Sequence, residues 1–124
     1  MSERPILEPG PDHPITITPN HHRVRVIAGG RQIADTRLAT SLREAGYPPV
    51  IYIPPSDVDG TQLTDSDHQT YCPYKGEASY FSIPGLGDAG ENAVWQYRDP
   101  HPSAAPIKNL VAFYPDRVQI SEEP

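Results

Sequence analysis

The stretch "RVRVIAGGRQIADT", residues 23–36, decides the fold class. Val24 and Val26 alternate with Arg23 and Arg25, the period of a strand with one buried face. Gly29-Gly30 supplies the positive φ angles of a two-residue hairpin turn. Ile33 and Ala34 begin the return strand. Working outward, "HPITITPN" (13–20) repeats the alternation through Ile15 and Ile17, and Pro19-Asn20 ends it. "VIYI" (50–53) reads as a further strand closed by two prolines, and "LVAFYPDRV" (110–118) as its late counterpart. One window breaks the pattern. In "TRLATSLREAGY" (36–47), Leu38 and Leu42 lie four apart with Ala39 and Ala45 beside them, which predicts a helix near residues 37–46. Thr36 would be its N-cap and Gly46 its C′ residue.

Superposing Pro54 on Pro115 sets Val50 over Val111 and Tyr52 over Phe113, and it sets "IADT" (33–36) over "VWQY" (94–97). Each half then reads strand, glycine turn, strand, connection, strand, proline, over about residues 23–58 and 78–118. Chance convergence of strand-ending prolines is the competing explanation. The expected fold is mainly β. Two small antiparallel three-stranded meanders would pack at an angle, with one short helix. Residues 1–12 are expected to be a flexible arm, 13–120 a single domain, and 121–124 a loose tail.

Composition narrows the functional classes. A chain of 124 residues is one domain long and can close one core without disulfides or metal. Its net charge of −6, with no lysine or arginine run, argues against nucleic acid. No apolar run reaches membrane-spanning length, and no charged-then-apolar leader opens the chain. A single cysteine cannot form an internal disulfide, which agrees with a reducing cytoplasm. No motif for a phosphate-binding loop, a dinucleotide or another cofactor is present.

Chemistry concentrates around "TYCPYKGEASYF" (70–81). Cys72 could be a nucleophile if Lys75 stabilised its thiolate and His68 or His13 deprotonated it. The ordinary alternative is a small buried apolar residue. A structural metal is not expected, because one cysteine and scattered histidines do not make a tetrahedral set. Lys75, freed by the turn at Gly76, could hold a carboxylate or phosphate as a point charge. Tyr71, Tyr74, Tyr80 and Phe81 would supply aromatic walls around it. Glu44 would sit late in the expected helix, where the dipole disfavours a carboxylate; a partner such as Lys75 or Arg43 would explain it, and an ordinary exposed helix glutamate is the favoured reading. Asp57 caps a turn or faces a ligand. Trp95 and Tyr97 share one strand face by period 2, as core or as a stacking wall.

In this order, "RVRV", "IADT", "GYPPVIYIPPSDV", "TYCPYKGEASYFSI", "ENAVWQY" and "VAFYPDRV" resemble the family catalogued as domain of unknown function 427. The match spans about residues 13–120. The resemblance implies a compact β-tent of two meanders. Several β-tent relatives hold zinc through two C-x-x-C pairs, and Cys72 alone cannot carry that over. The family is sometimes labelled nucleotidyltransferase-like, but the paired metal-binding acids of such chemistry are not visible here. Positions matching the family pattern are His13, Glu44, Tyr52, Asp57, Cys72, Lys75, Tyr80, Trp95 and Tyr97. The resemblance implies that some of them line one cleft, and it assigns no reaction.

Three functional readings follow. In the first, a small-molecule cleft takes an anionic or planar ligand, with Cys72, Lys75 and Glu44 as candidate catalytic groups. Its ligand-binding set is His13, Tyr52, Asp57, Lys75, Tyr80, Trp95 and Tyr97. In the second, a non-catalytic module recruits a protein through an open sheet edge. In the third, the same polar residues only maintain the fold.

Overall fold

The computed structural model describes residues 4–124. It is mainly β, as the alternating segments predict, and every strand pairing is antiparallel. The strands are β1 (Ile15–Asn20), β2 (Arg23–Ala28), β3 (Arg31–Thr36), β4 (Ala39–Glu44) and β5 (Val50–Tyr52). They continue with β6 (Thr64–Cys72), β7 (Gly76–Ser82), β8 (Val94–Gln96), β9 (Val111–Phe113) and β10 (Gln119–Glu123). Short 3₁₀ turns join them, and no helix is long and apolar enough to cross a membrane.

Three sheets form rather than two three-stranded meanders. Their orders are β1-β4-β5, β10-β2-β3 and β6-β7-β8-β9. The predicted β2–β3 hairpin is present, with Gly29 and Gly30 at φ 58° and 82°. The third strands of the two aligned halves differ in partner, since β5 pairs with β4 and β9 with β8. Ile53 and Val111 then exchange two backbone hydrogen bonds of 2.8 Å each, which joins β5 to β9. The first and third sheets therefore act as one layer in the order β1-β4-β5-β9-β8-β7-β6.

That layer buries both of its faces. Ala39, Ile53, Val94, Val111 and Phe113 point to one core, shared with Val24, Val26 and Ile33 of the β10-β2-β3 sheet. Leu42, Tyr52, Tyr80 and Ala112 point to a second core, closed by Ala104 and Ile107 of a 3₁₀ segment. Adjacent residues alternate between the cores, as the two-residue strand period requires.

The two-sided burial corrects the expected helix at 37–46. That segment is β4, a central strand hydrogen-bonded to β1 on one side and β5 on the other. Ala39 and Leu42 are three apart because each faces a different core, not because they share a helical face. Leu38, the other supposed face residue, is 72% exposed. Thr36 does make a cap-like bond, its Oγ1 accepting from the Leu38 N–H at 2.9 Å, but a strand follows.

The chain ends also differ from expectation. The segment expected as a loose tail from residue 121 is the second half of β10, paired to β2 from Gln119↔Ile27 to Glu123↔Arg23. Of the expected N-terminal arm, residues 1–3 lie outside the described residues. Residues 4–7 run against the β6–β7 hairpin. The Leu7 N–H donates to Pro73 O at 3.0 Å, and Arg4 pairs with Glu77 at 2.5 Å.

The two leucines separate strand from helix experimentally. Leu42→Ala should cost about 2–4 kcal/mol in urea unfolding, as a buried leucine deletion does. Leu38→Ala should cost less than about 0.5 kcal/mol, as an exposed substitution does. Equal costs would contradict the strand assignment.

Candidate functional site

A surface cleft of about 770 Å³ opens where β4, the β6–β7 turn, β9 and β10 converge. Its walls include Tyr74, Trp95 and Tyr114, with Pro48, Pro49 and Pro115 at the margins. Four local pieces of structure deliver its polar groups.

His13 precedes β1, held by reciprocal bonds between its own backbone and that of Gly10, at 3.0 and 3.2 Å. Glu44 ends β4, where Ile15 is its cross-strand neighbour, so β1–β4 pairing brings His13 and Glu44 together. Ala45, at φ 47°, turns the chain away immediately afterwards. Cys72 ends β6 and stands opposite Gly76 across the hairpin. Lys75 precedes that glycine. Gly76 adopts φ 111°, and a Cβ there would lie 3.4 Å from the backbone nitrogen of His101. The His101 N–H in turn donates to the Lys75 carbonyl at 2.9 Å. Glycine is therefore favoured by the positive φ of the turn, and a Cβ there would make only ordinary van der Waals contact with residues 99–101.

Glu44 is the hub. One carboxylate oxygen meets His13 Nε2 at 2.7 Å, and the other accepts directly from Lys75 Nζ. The side chains of Lys75 and Glu44 are only 13% and 12% exposed. Burial pushes the Glu44 carboxyl up, but the hydrogen bonds from Lys75 and His13 outweigh it and hold the group below its ordinary value. Lys75 also stands 5.9 Å from the Tyr97 ring centroid, and the His13 ring stacks on Tyr74 at 3.9 Å.

The remaining sequence-predicted residues sort by depth. His13, Glu44, Cys72, Lys75 and Trp95 line the cleft. Tyr52 and Tyr97 lie beneath it in the second core, 1% and 6% exposed. Burial raises both phenols far above their ordinary value, so they remain neutral donors. The Tyr52 oxygen accepts from the Trp95 indole N–H at 3.3 Å and fixes the ring that faces the cleft. Tyr80 is also buried, and its hydroxyl meets Thr70 at 2.9 Å and Tyr114 at 3.5 Å. Asp57 lies elsewhere: its carboxylate accepts from Thr36 at 2.7 Å and locks the turn after Pro55.

Tyr47, Tyr114 and Glu122 also line the cleft, and the sequence reading did not single them out. A signal existed for Glu122, because Val118 and Ile120 continue an alternation into the C-terminus. Among the described residues, no group of three or more His, Cys, Asp and Glu side chains is arranged to hold a metal ion. His13 Nε2 and Lys75 Nζ both face Glu44, so neither of those atoms is committed to the Cys72 sulfur.

These features define a small antiparallel β domain with one aromatic-walled cleft and a buried carboxylate hub. The sequence profile of the family described as "Domain of unknown function (DUF427)" matches residues 16–124, and the chain belongs to that family. No curated protein matches it.

The Glu44 hub has a pH signature. Its folded-state pKa is depressed, so its contribution to stability is complete above the unfolded glutamate value of about 4.3. That contribution is lost as pH falls through the lower folded value. Glu44→Gln should cost about 1–3 kcal/mol at pH 7. The difference from wild type should shrink as pH falls below about 4.3 and vanish only below the lower folded value, where the wild-type carboxyl is itself protonated. A difference that stays constant from pH 7 down to the acid limit of folding would exclude the hub as a stabilising ion pair.

Proposed function

We propose that the protein binds a small molecule with a flat apolar face in the cleft beside the Cys72–Gly76 turn. The observation that carries this reading is convergence. His13, Glu44, Cys72, Lys75 and Trp95 come from four separate stretches of chain, yet they line one cavity. A cleft of about 770 Å³ is of the size that encloses a metabolite, and it combines apolar walls with a few polar groups. Tyr52 supports the reading further by anchoring the indole of Trp95 from behind.

The ion pair ranks the ligand classes. Lys75 is already matched by Glu44, so an anionic group would have to compete with a bonded carboxylate for the ammonium. A planar ligand on Trp95 and Tyr114 meets no such competition. Cys72 is a partly exposed thiol at the cleft wall and the residue at which covalent chemistry would occur. The alternative of partner recruitment by strand addition is less favoured. Of the edge strands β1, β3, β6 and β10, the longest, β6, carries Asp65 and Asp67, and its register shifts between Ser66 and Gln69, both of which blunt strand addition.

A thermal-shift screen of planar metabolites, read in parallel by Trp95 fluorescence, tests the proposal. A true ligand should raise Tm by about 5–10 °C at a hundredfold excess over Kd. The shift should be lost in a folded Trp95→Leu variant. Ligands whose effect survives that substitution would place binding outside this cleft.

A further inference from the structure

We propose that the cleft selects a ligand bearing a small organic cation, a quaternary or protonated amine, which Trp95, Tyr114 and Glu122 receive together. The inference rests on the cleft reading above and adds the ligand's charge class.

Three observations carry it. First, the charges lining the cleft do not balance. Among the described residues the lining carboxylates are Glu44 and Glu122, against the single ammonium of Lys75. Lys75 is consumed by Glu44 in a largely buried pair, which leaves Glu122 as the lining carboxylate without a lysine or arginine partner. Second, Glu122 is held in place rather than free to swing. Its Oε1 accepts from Asn20 Nδ2 at 2.9 Å and meets His22 Nδ1 at 3.3 Å. Both contacts go to one oxygen, and among the described residues no hydrogen bond reaches the other. The hydrogen bond from Asn20, with His22 beside it, outweighs burial and keeps this carboxyl below its ordinary value, so it is ionised at neutral pH.

Third, π faces stand in the same cavity. Trp95 and Tyr114 form a corner, with ring centroids 4.6 Å apart and planes inclined at 47°. Tyr47, 67% exposed, stands at the rim. The negative face of an aromatic ring attracts a cation, and tryptophan does so most strongly. Two inclined rings with a fixed carboxylate offer attraction from more than one side. An anion in the same place would meet Glu122 and the π faces, and both repel it.

Choline and its uncharged carbon isostere dimethylbutanol separate charge from shape. Trp95 is the only tryptophan, so intrinsic fluorescence reports the cleft directly. Choline should give a saturable change at a concentration at least about fivefold lower than dimethylbutanol, in line with a partly desolvated cation–π contact. Glu122→Gln should abolish most of that preference while leaving the response to dimethylbutanol unchanged. Raised salt should weaken choline alone. Equal responses to the two compounds, no response to choline, or a preference untouched by Glu122→Gln would each overturn the inference. A neutral planar metabolite that binds in a Trp95-dependent way would leave the cleft reading standing even then, so the two can fail separately.

Discussion

The reciprocal backbone pair between Ile53 and Val111 is the constraint on which the rest of the structure depends. Two short strands, β5 and β9, meet there through one two-way exchange. Each hydrogen bond contributes only about 1 kcal/mol net. The consequence is nevertheless architectural, because the exchange merges two sheets into one layer with two buried faces. Ile53 and Val111 face one core, and their neighbours Tyr52 and Ala112 face the other. The cleft follows from the same junction. Val50 and Ile51 of β5 and Phe113 of β9 line it, and Tyr114 leaves β9 straight into its wall.

A layer buried on both faces also explains which elements could be read from the sequence. The β2–β3 hairpin was legible because Arg23 and Arg25 face outward while Val24 and Val26 face the core, giving a clean period of two. β4 has no such contrast. Its apolar residues are divided between two cores, and Ala39 and Leu42 fall at a spacing that imitates a helix turn. Central strands with two buried faces lose the polar–apolar alternation that marks them. β10 was missed for the opposite reason. Its "QISEE" is polar and terminal, so the short Val118, Ile120 alternation is a weak signal, and the pairing to β2 makes it a strand.

Within the candidate site, the readable part was the local chemistry of the turn. Glycine at position 76 and the crowding of Tyr71, Tyr74 and Tyr80 mark Lys75 as a placed residue. Glu44 is not the exposed helix glutamate that the sequence favoured: it partners Lys75, and the helix dipole that would have motivated a partner is absent from a strand. Burial supplies the motive instead: a carboxylate only 12% exposed requires donors, and it has two. Tyr52, Tyr80 and Tyr97 were grouped with the cleft residues because type and spacing do not encode depth. The structure puts all three in the core below it. Asp57 joined the ligand-binding set through the family pattern, while its place after two prolines pointed to a turn, and it is the acceptor that fixes Thr36.

The hub and the cleft wall therefore have separate physical tasks. Glu44 and Lys75 neutralise each other in a place where unpaired charge would be costly, and with His13 bonded to the same carboxylate they fasten β4 to the β6–β7 turn and to the segment before β1. A lysine so occupied is a poor anchor for an incoming anion, however well it is positioned. The electrostatic character of the cavity then passes to the next charged group, Glu122, on a strand contributed by the far end of the chain. Because β10 is docked on β2, that carboxylate is fixed relative to Trp95 by the same sheet that closes the first core. The sign of the cleft is thus set by which charges the fold consumes in holding itself together.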